Sequence, residues 1–169
     1  MSNQSNCLLK DLDIATPPVS DIELARFEKT IGLRLPDDYR IFLKNYRGGV
    51  IYDGLIFPVV RPRRVGTESI EVFFGLTDDP VCSIFAYHKV YCLDQNRMMP
   101  GMIPIGCDAG SNNICILLSK EHFGEIYYWD HNLEVDFDDS EDAEEAFRNC
   151  YFIADSFTKF LSTLRAWEE

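Results

Sequence analysis

The stretch Met102-Ile-Pro-Ile-Gly-Cys-Asp-Ala-Gly-Ser-Asn-Asn113 sets the reading of the whole chain. It runs from an apolar segment through a short Gly-rich polar turn into a second apolar run, Ile114-Cys115-Ile116-Leu117-Leu118. After a short break comes the aromatic segment Ile126-Tyr127-Tyr128-Trp129-Asp130-His131. Three such runs separated by turn residues predict a meander in a buried antiparallel sheet. Gly106 and Gly110 flank a short polar loop in which positive φ is expected. Asp108, Ser111, Asn112 and Asn113 can close it by side-chain-to-backbone hydrogen bonds. A phosphate cradle is the competing reading. The Gly-x-x-x-Gly spacing, the absence of a following Lys and the continuation as strand rather than helix argue against it.

Working outward from the meander, helices are written into both ends. On the N-terminal side, Ser20 and Glu23 form a Ser-x-x-Glu capping box, with Val19 and Leu24 at hydrophobic-staple positions. Leu24, Phe27 and Ile31 make the apolar stripe, and Gly32 is the expected C-cap. A second helix is expected to start with Pro36 at its first position, followed by Asp37 and Asp38 at the positive end of its dipole. Its stripe is Tyr39, Phe42, Leu43 and Tyr46, and Gly48-Gly49 supplies the exit. On the C-terminal side, Tyr151–Ala154 reads as a short strand. Asp155-Ser156 caps a last helix with Phe157, Phe160, Leu161 and Leu164 at helical spacing, and Trp167 is expected to seal its end.

Between the second helix and the meander, Ile51–Val60 reads as strand, broken by hairpin chemistry at Asp53-Gly54. Arg61-Pro62-Arg63-Arg64 is the densest basic patch and reads as a solvated loop. Ser69–Leu76 is a further strand. Asp79-Pro80 then starts a third helix with Ile84, Tyr87, His88 and Tyr91 on its stripe, where His88 reads as a packed side chain rather than a ligand.

With 169 residues, 46% of them apolar and 13% aromatic, the chain is expected to be one globular domain. Residues 1–18 read as a lead-in, in which Cys7-Leu8-Leu9, Leu12 and Ile14 could pack on the core, and residues 19–169 as the domain proper. No apolar run reaches the length of a spanning helix, and the first residues lack the pattern of a signal peptide, so a cytoplasmic protein is expected. The six cysteines, Cys7, Cys82, Cys92, Cys107, Cys115 and Cys150, form no Cys-x-x-Cys pair and read as buried or partly buried thiols.

Net charge is −12, from 28 acidic and 16 basic residues. This disfavours nucleic acid and anionic membrane as partners and favours a cationic protein. Residues 134–145 alone hold eight acidic side chains and no base. They read either as a solvated loop leading into a helix capped by Ser140 or as a partner-facing acidic patch. A calcium loop is disfavoured by the missing Gly at its sixth position.

Catalytic groups are sparse. Of the three histidines, His88, His122 and His131, the last could be paired with Cys107 or Cys115 across the sheet, but no local signature supports a nucleophile. No catalytic residue, metal ligand or cofactor is expected.

Four pieces in order resemble the SMI1/KNR4 family, or SUKH superfamily. Leu35-Pro36 with Tyr39, Phe42-Leu43 and Gly48-Gly49 is similar to its opening helix. Ile103-Pro104-Ile105-Gly106 with Asp108 and Gly110-Ser111-Asn112 is similar to its central strand and turn. Trp129-Asp130-His131 resembles its "W-D-H" strand, and Ala154-Asp155-Ser156-Phe157 with Phe160-Leu161 its closing helix. The resemblance implies an α+β single domain whose mainly antiparallel, or mixed, central sheet is flanked by helices.

It also implies a binding protein rather than an enzyme. Many bacterial members are immunity proteins that neutralise a cognate toxin domain of a polymorphic or contact-dependent system; fungal members are regulatory interaction modules. For the immunity reading the expected partner is a basic toxin, a nuclease among the candidates, and the expected partner-facing residues are Asp136, Asp138, Asp139, Glu141, Asp142, Glu144 and Glu145.

Overall fold

The computed structural model describes residues 9, 12, 18–62, 64–133 and 147–167. In chain order the elements are α1 (Asp21–Ile31), α2 (Asp37–Asn45), β1 (Gly49–Arg61), β2 (Arg64–Phe73), α3 (Ile84–His88), β3 (Met102–Cys107), β4 (Asn113–Leu117), β5 (Ile126–Trp129), β6 (Cys150–Ala154), α4 (Phe157–Thr163) and β7 (Arg165–Ala166). A π-helical turn, Lys89–Asp94, extends α3, and a 3-10 turn, His131–Leu133, follows β5. The architecture is α+β, as expected.

The strands form one sheet in the order β6-β5-β4-β3-β2-β1-β7, with every neighbouring pair antiparallel. The sheet curls until β1 approaches β6. Alternation of side chains divides β3–β5 into two faces. Ile103, Ile105, Ile114, Ile116, Ile126 and Tyr128 face the main core, which α1, α2 and α4 cover with Leu24, Phe27, Tyr39, Phe42, Phe157 and Phe160. On the other face Met102, Cys115, Leu117, Tyr127 and Trp129 form a second, smaller cluster with Met98 and Met99.

The local signals form as read. Ser20 and Glu23 make both halves of the capping box, and Gly32 caps α1 at φ 72. Leu9, Leu12 and Val19 are buried in the main core, whereas Cys7 and Ile14 lie outside the described residues. Ser156 caps α4 through the N–H of Lys159. Asp38 reaches across the sequence to the same helix, where its carboxylate accepts from the N–H of Thr158 at 2.9 Å. Phe157 packs 4.8 Å from both Tyr39 and Phe42, ring centroid to centroid, so α2 and α4 share one aromatic layer.

Four expectations need correction. Pro36 is the N-cap of α2 rather than its first residue. Asp53-Gly54 is not a hairpin: β1 continues through it, and the register shift between Val50 and Leu55 with Gly54 at φ 61 marks a bulge. In the central turn the expected positive φ falls on Ser111, at φ 66. Gly106 is needed for close approach instead, since a Cβ there would stand 2.6 Å from the Val72 carbonyl oxygen. The third helix starts at Ile84, because Asp79 uses its carboxylate to close a turn onto the N–H of Val81. Trp167 seals nothing: it is 65% exposed, and the residues before it form β7, which the sequence reading did not anticipate.

Candidate functional site

Where the curled sheet nearly closes, residues from four strands and two turns form a single polar network. Asp108, in the β3–β4 turn, accepts from the N–H and the side-chain amide of Asn112, both at 2.9 Å. Its second oxygen also accepts from the Tyr128 hydroxyl at 2.8 Å. Tyr128 sits on β5 facing the main core, and its hydroxyl lies 3.3 Å from Glu68 on β2. Burial and the two neighbouring carboxylates push the Tyr128 phenol far above its ordinary range, so it stays a donor. Glu68 pairs with Arg61 at 2.6 Å, and the Arg61 guanidinium lies over the rings of Tyr128 and Tyr151, 5.4 and 5.0 Å from their centroids. The chain Arg61–Glu68–Tyr128–Asp108–Asn112 therefore links the β1–β2 hairpin to β5, β6 and the central turn.

Asn112 extends the network to His131, whose backbone N–H and ring Nδ1 both donate to the Asn112 carbonyl oxygen, at 3.1 and 2.9 Å. Next to it, Asp130 accepts from Asn132, and the Asp130 carbonyl accepts from the side chain of Asn149, which is itself buried. Asp108, Asn112 and His131 are the residues singled out by the resemblance, and the structure brings them together. Their partners Arg61, Glu68 and Tyr128 were missed. Arg61 was read as solvated, yet its side chain is 13% exposed. The available signal was Tyr128, since a phenol on the core face of a buried strand needs a polar partner.

The Cys–His pairing weighed on the sequence does not form. The His131 ring is engaged by Asn112, whereas Cys115 lies fully buried in the second cluster, its sulfur 4.0 Å from that of Met98. Burial pushes the thiols of Cys92, Cys107 and Cys150 up to about 12 and that of Cys115 well above its ordinary value. The environment of these four favours the inert thiol over the nucleophilic thiolate. Among the described residues no group of His, Cys, Asp and Glu could hold a metal ion. No helix among them is long and apolar enough to cross a membrane.

A cleft of about 450 Å³ opens elsewhere, between α1 and the β2–α3 connection, lined by Glu23, Arg26, Arg47, Asp78 and Phe85 among others. Arg47 spans it, donating to the Leu76 carbonyl at 3.0 Å with its guanidinium 3.5 Å from Glu23. The acidic residues expected to face a partner, Asp136, Asp138, Asp139, Glu141, Asp142, Glu144 and Glu145, lie outside the described residues.

The sequence pattern of the SMI1 / KNR4 family (SUKH-1) matches residues 18–163, and the chain belongs to that family. It is 29% identical over 156 residues to the SPbeta prophage-derived uncharacterized protein YokK of Bacillus subtilis (strain 168), an alignment covering 84% of this chain and 72% of that relative. Membership supports an interaction module or immunity-type protein. The network described above coincides with the two middle pieces of the family pattern, and its bonds are spent within the chain, which makes it the frame of the fold.

Proposed function

With membership of the SMI1 / KNR4 family as premise, we propose that this protein is an immunity protein. It binds a cognate toxin domain of a bacterial polymorphic or contact-dependent toxin system and blocks it in the cytoplasm by occlusion. We assign it binding rather than catalysis. The observation that carries the partner's chemistry is charge: eight acids and no base in residues 134–145, within a chain of net charge −12. Such a field attracts a cationic surface of the kind a nuclease uses for its substrate, and it speeds encounter at low salt. The prophage origin of the Bacillus subtilis relative fits a protein of bacterial conflict.

The test starts with capture by the tagged full chain from lysates of the source cells and of competing strains, at low and high salt. Each captured protein is then expressed in a sensitive host with and without this chain. Rescue of growth, weakened when Asp138, Asp139, Asp142 and Glu145 are changed together to Lys, supports the proposal. Capture only of non-toxic regulatory proteins, with no rescue in any strain, overturns it in favour of a regulatory interaction module.

A further inference from the structure

We propose that the outer face of the sheet at the β1 bulge is a docking surface for a cationic protein segment, which presents an Arg or Lys side chain to Trp167 and Glu71. This rests on the reading of the protein as a binder of a cationic partner and locates a surface for it outside the acidic segment.

The surface is built by register. Leu55 pairs with Ala166 and Ile56 with Arg165, and Trp167 follows directly, so it falls beside Gly54. Pleat alternation puts Arg165 and Trp167 on the same face as Ile56 and Gly54, away from the buried Leu55. On the other flank, a Cβ on Gly54 would lie 3.6 Å from Glu71 Cγ. Gly54, without a side chain, thus lies between the chain that carries Trp167 and the Glu71 side chain.

Two features mark this face as a contact surface. Tyr52 is 87% exposed and Trp167 65%, and both are residue types that anchor interfaces. β7 covers only Leu55 and Ile56, so the outer edge of residues 49–54 has no neighbouring strand among the described residues.

Charge selects the occupant. Asp53 and Glu71 supply the local carboxylates, while the guanidinium of Arg165 is turned back onto the carbonyls of Ser162 and Leu164. A second copy of the chain would bring another net charge of −12, which opposes self-association. A cationic segment gains ion pairing to Glu71 and Asp53 and a cation–π contact with Trp167.

The experiment is a nitrogen-15 amide and indole titration of the full chain with a hexa-arginine peptide at low salt, hexa-glutamate serving as control. Expected are shifts at Tyr52, Asp53, Gly54, Glu71 and the Trp167 indole. The affinity should fall at least tenfold in Trp167→Ala and in Tyr52→Ala, whose remaining resonances keep their wild-type positions. Arginine-induced shifts confined to residues 134–145, with Trp167→Ala unchanged, would overturn this surface and leave the cationic-partner reading intact. No shifts anywhere at millimolar peptide would overturn both. Equal shifts with hexa-glutamate would overturn the charge selection and with it the proposal.

Discussion

The Asn112 side-chain carbonyl holds His131 at two points, accepting from its backbone N–H and from its ring Nδ1. One residue thereby ties the β3–β4 turn to the end of β5, and its amide group ties the same turn to Asp108. Asn112→Ala strands two donors on His131 and removes a bond to a carboxylate. The expected cost is about 2–3 kcal/mol, read from urea unfolding, with faster amide exchange at His131 than elsewhere. An unfolding midpoint equal to wild type would show that water replaces Asn112 at no cost.

Two buried tyrosines predict opposite outcomes for the same substitution. The Tyr39 hydroxyl is buried with no hydrogen-bond partner among the described residues, whereas that of Tyr128 donates to Asp108. Tyr39→Phe keeps the ring against Phe42 and Phe157 and removes an unsatisfied group, so stability should rise by up to about 1 kcal/mol. Tyr128→Phe should lower it by about 1.5–3 kcal/mol, because the lost bond ends on a carboxylate. Thermal unfolding of the two variants side by side decides the matter.

Gly75 and Gly32 separate space from conformation. A Cβ on Gly75 would meet the backbone of Arg47 and Gly48 at 2.3–2.5 Å, and Gly75 is itself held in place, its N–H donating to the Cys82 carbonyl and its carbonyl accepting from the N–H of Ile84. Gly75→Ala should cost more than about 3 kcal/mol. A Cβ on Gly32 would meet nothing within 4 Å among the described residues, and only its φ of 72 stands against one, so Gly32→Ala should cost about 1 kcal/mol. Equal losses in urea unfolding would contradict the packing at Gly75.

His88 sets a pH dependence. It is buried at the end of α3, its ring 6.2 Å from that of Phe27, and burial holds its pKa below the ordinary 6.5. The unfolded chain therefore takes up the proton first as pH falls. Stability declines from about pH 6.5 down to the folded pKa and levels below it. Carboxylates such as Glu23 and Glu28, with pKa values lowered from 4.5, lose their contributions at lower pH, so the windows separate. The urea midpoint measured from pH 8 to 5 should lose part of its slope in His88→Gln.

What the sequence revealed divides along the range of the interactions. Ser20 with Glu23, Ser156 before Phe157, and the stripes of α1, α2 and α4 involve neighbours within about one or two turns, and all were legible. The bulge at Gly54 was not, because Asp-Gly carries the same left-handed signal for a hairpin as for an extra residue in a strand. Arg61 was misread because composition records its charge and not Glu68, Tyr128 and Tyr151, which reach it only after the sheet curls. Asp108, Asn112 and His131 could be picked out from the pattern, but that they share hydrogen bonds needed the fold. Trp167 was assigned to a helix end because nothing in Arg165-Ala166 announces a two-residue strand.

β6 and β7 lie at opposite margins of the sheet although only α4 separates them in sequence. A nascent chain emerging N-terminus first completes β1 to β5 before either margin exists. Until residues 150–166 have left the ribosome, the flanks of β5 and β1 stay bare, and the aromatic layer above the core lacks Phe157 and Phe160. The segment of residues 150–166 thus closes both flanks at once. A ribosome stalled shortly before it would hold a molecule with two open strand edges, the state from which neighbouring chains aggregate.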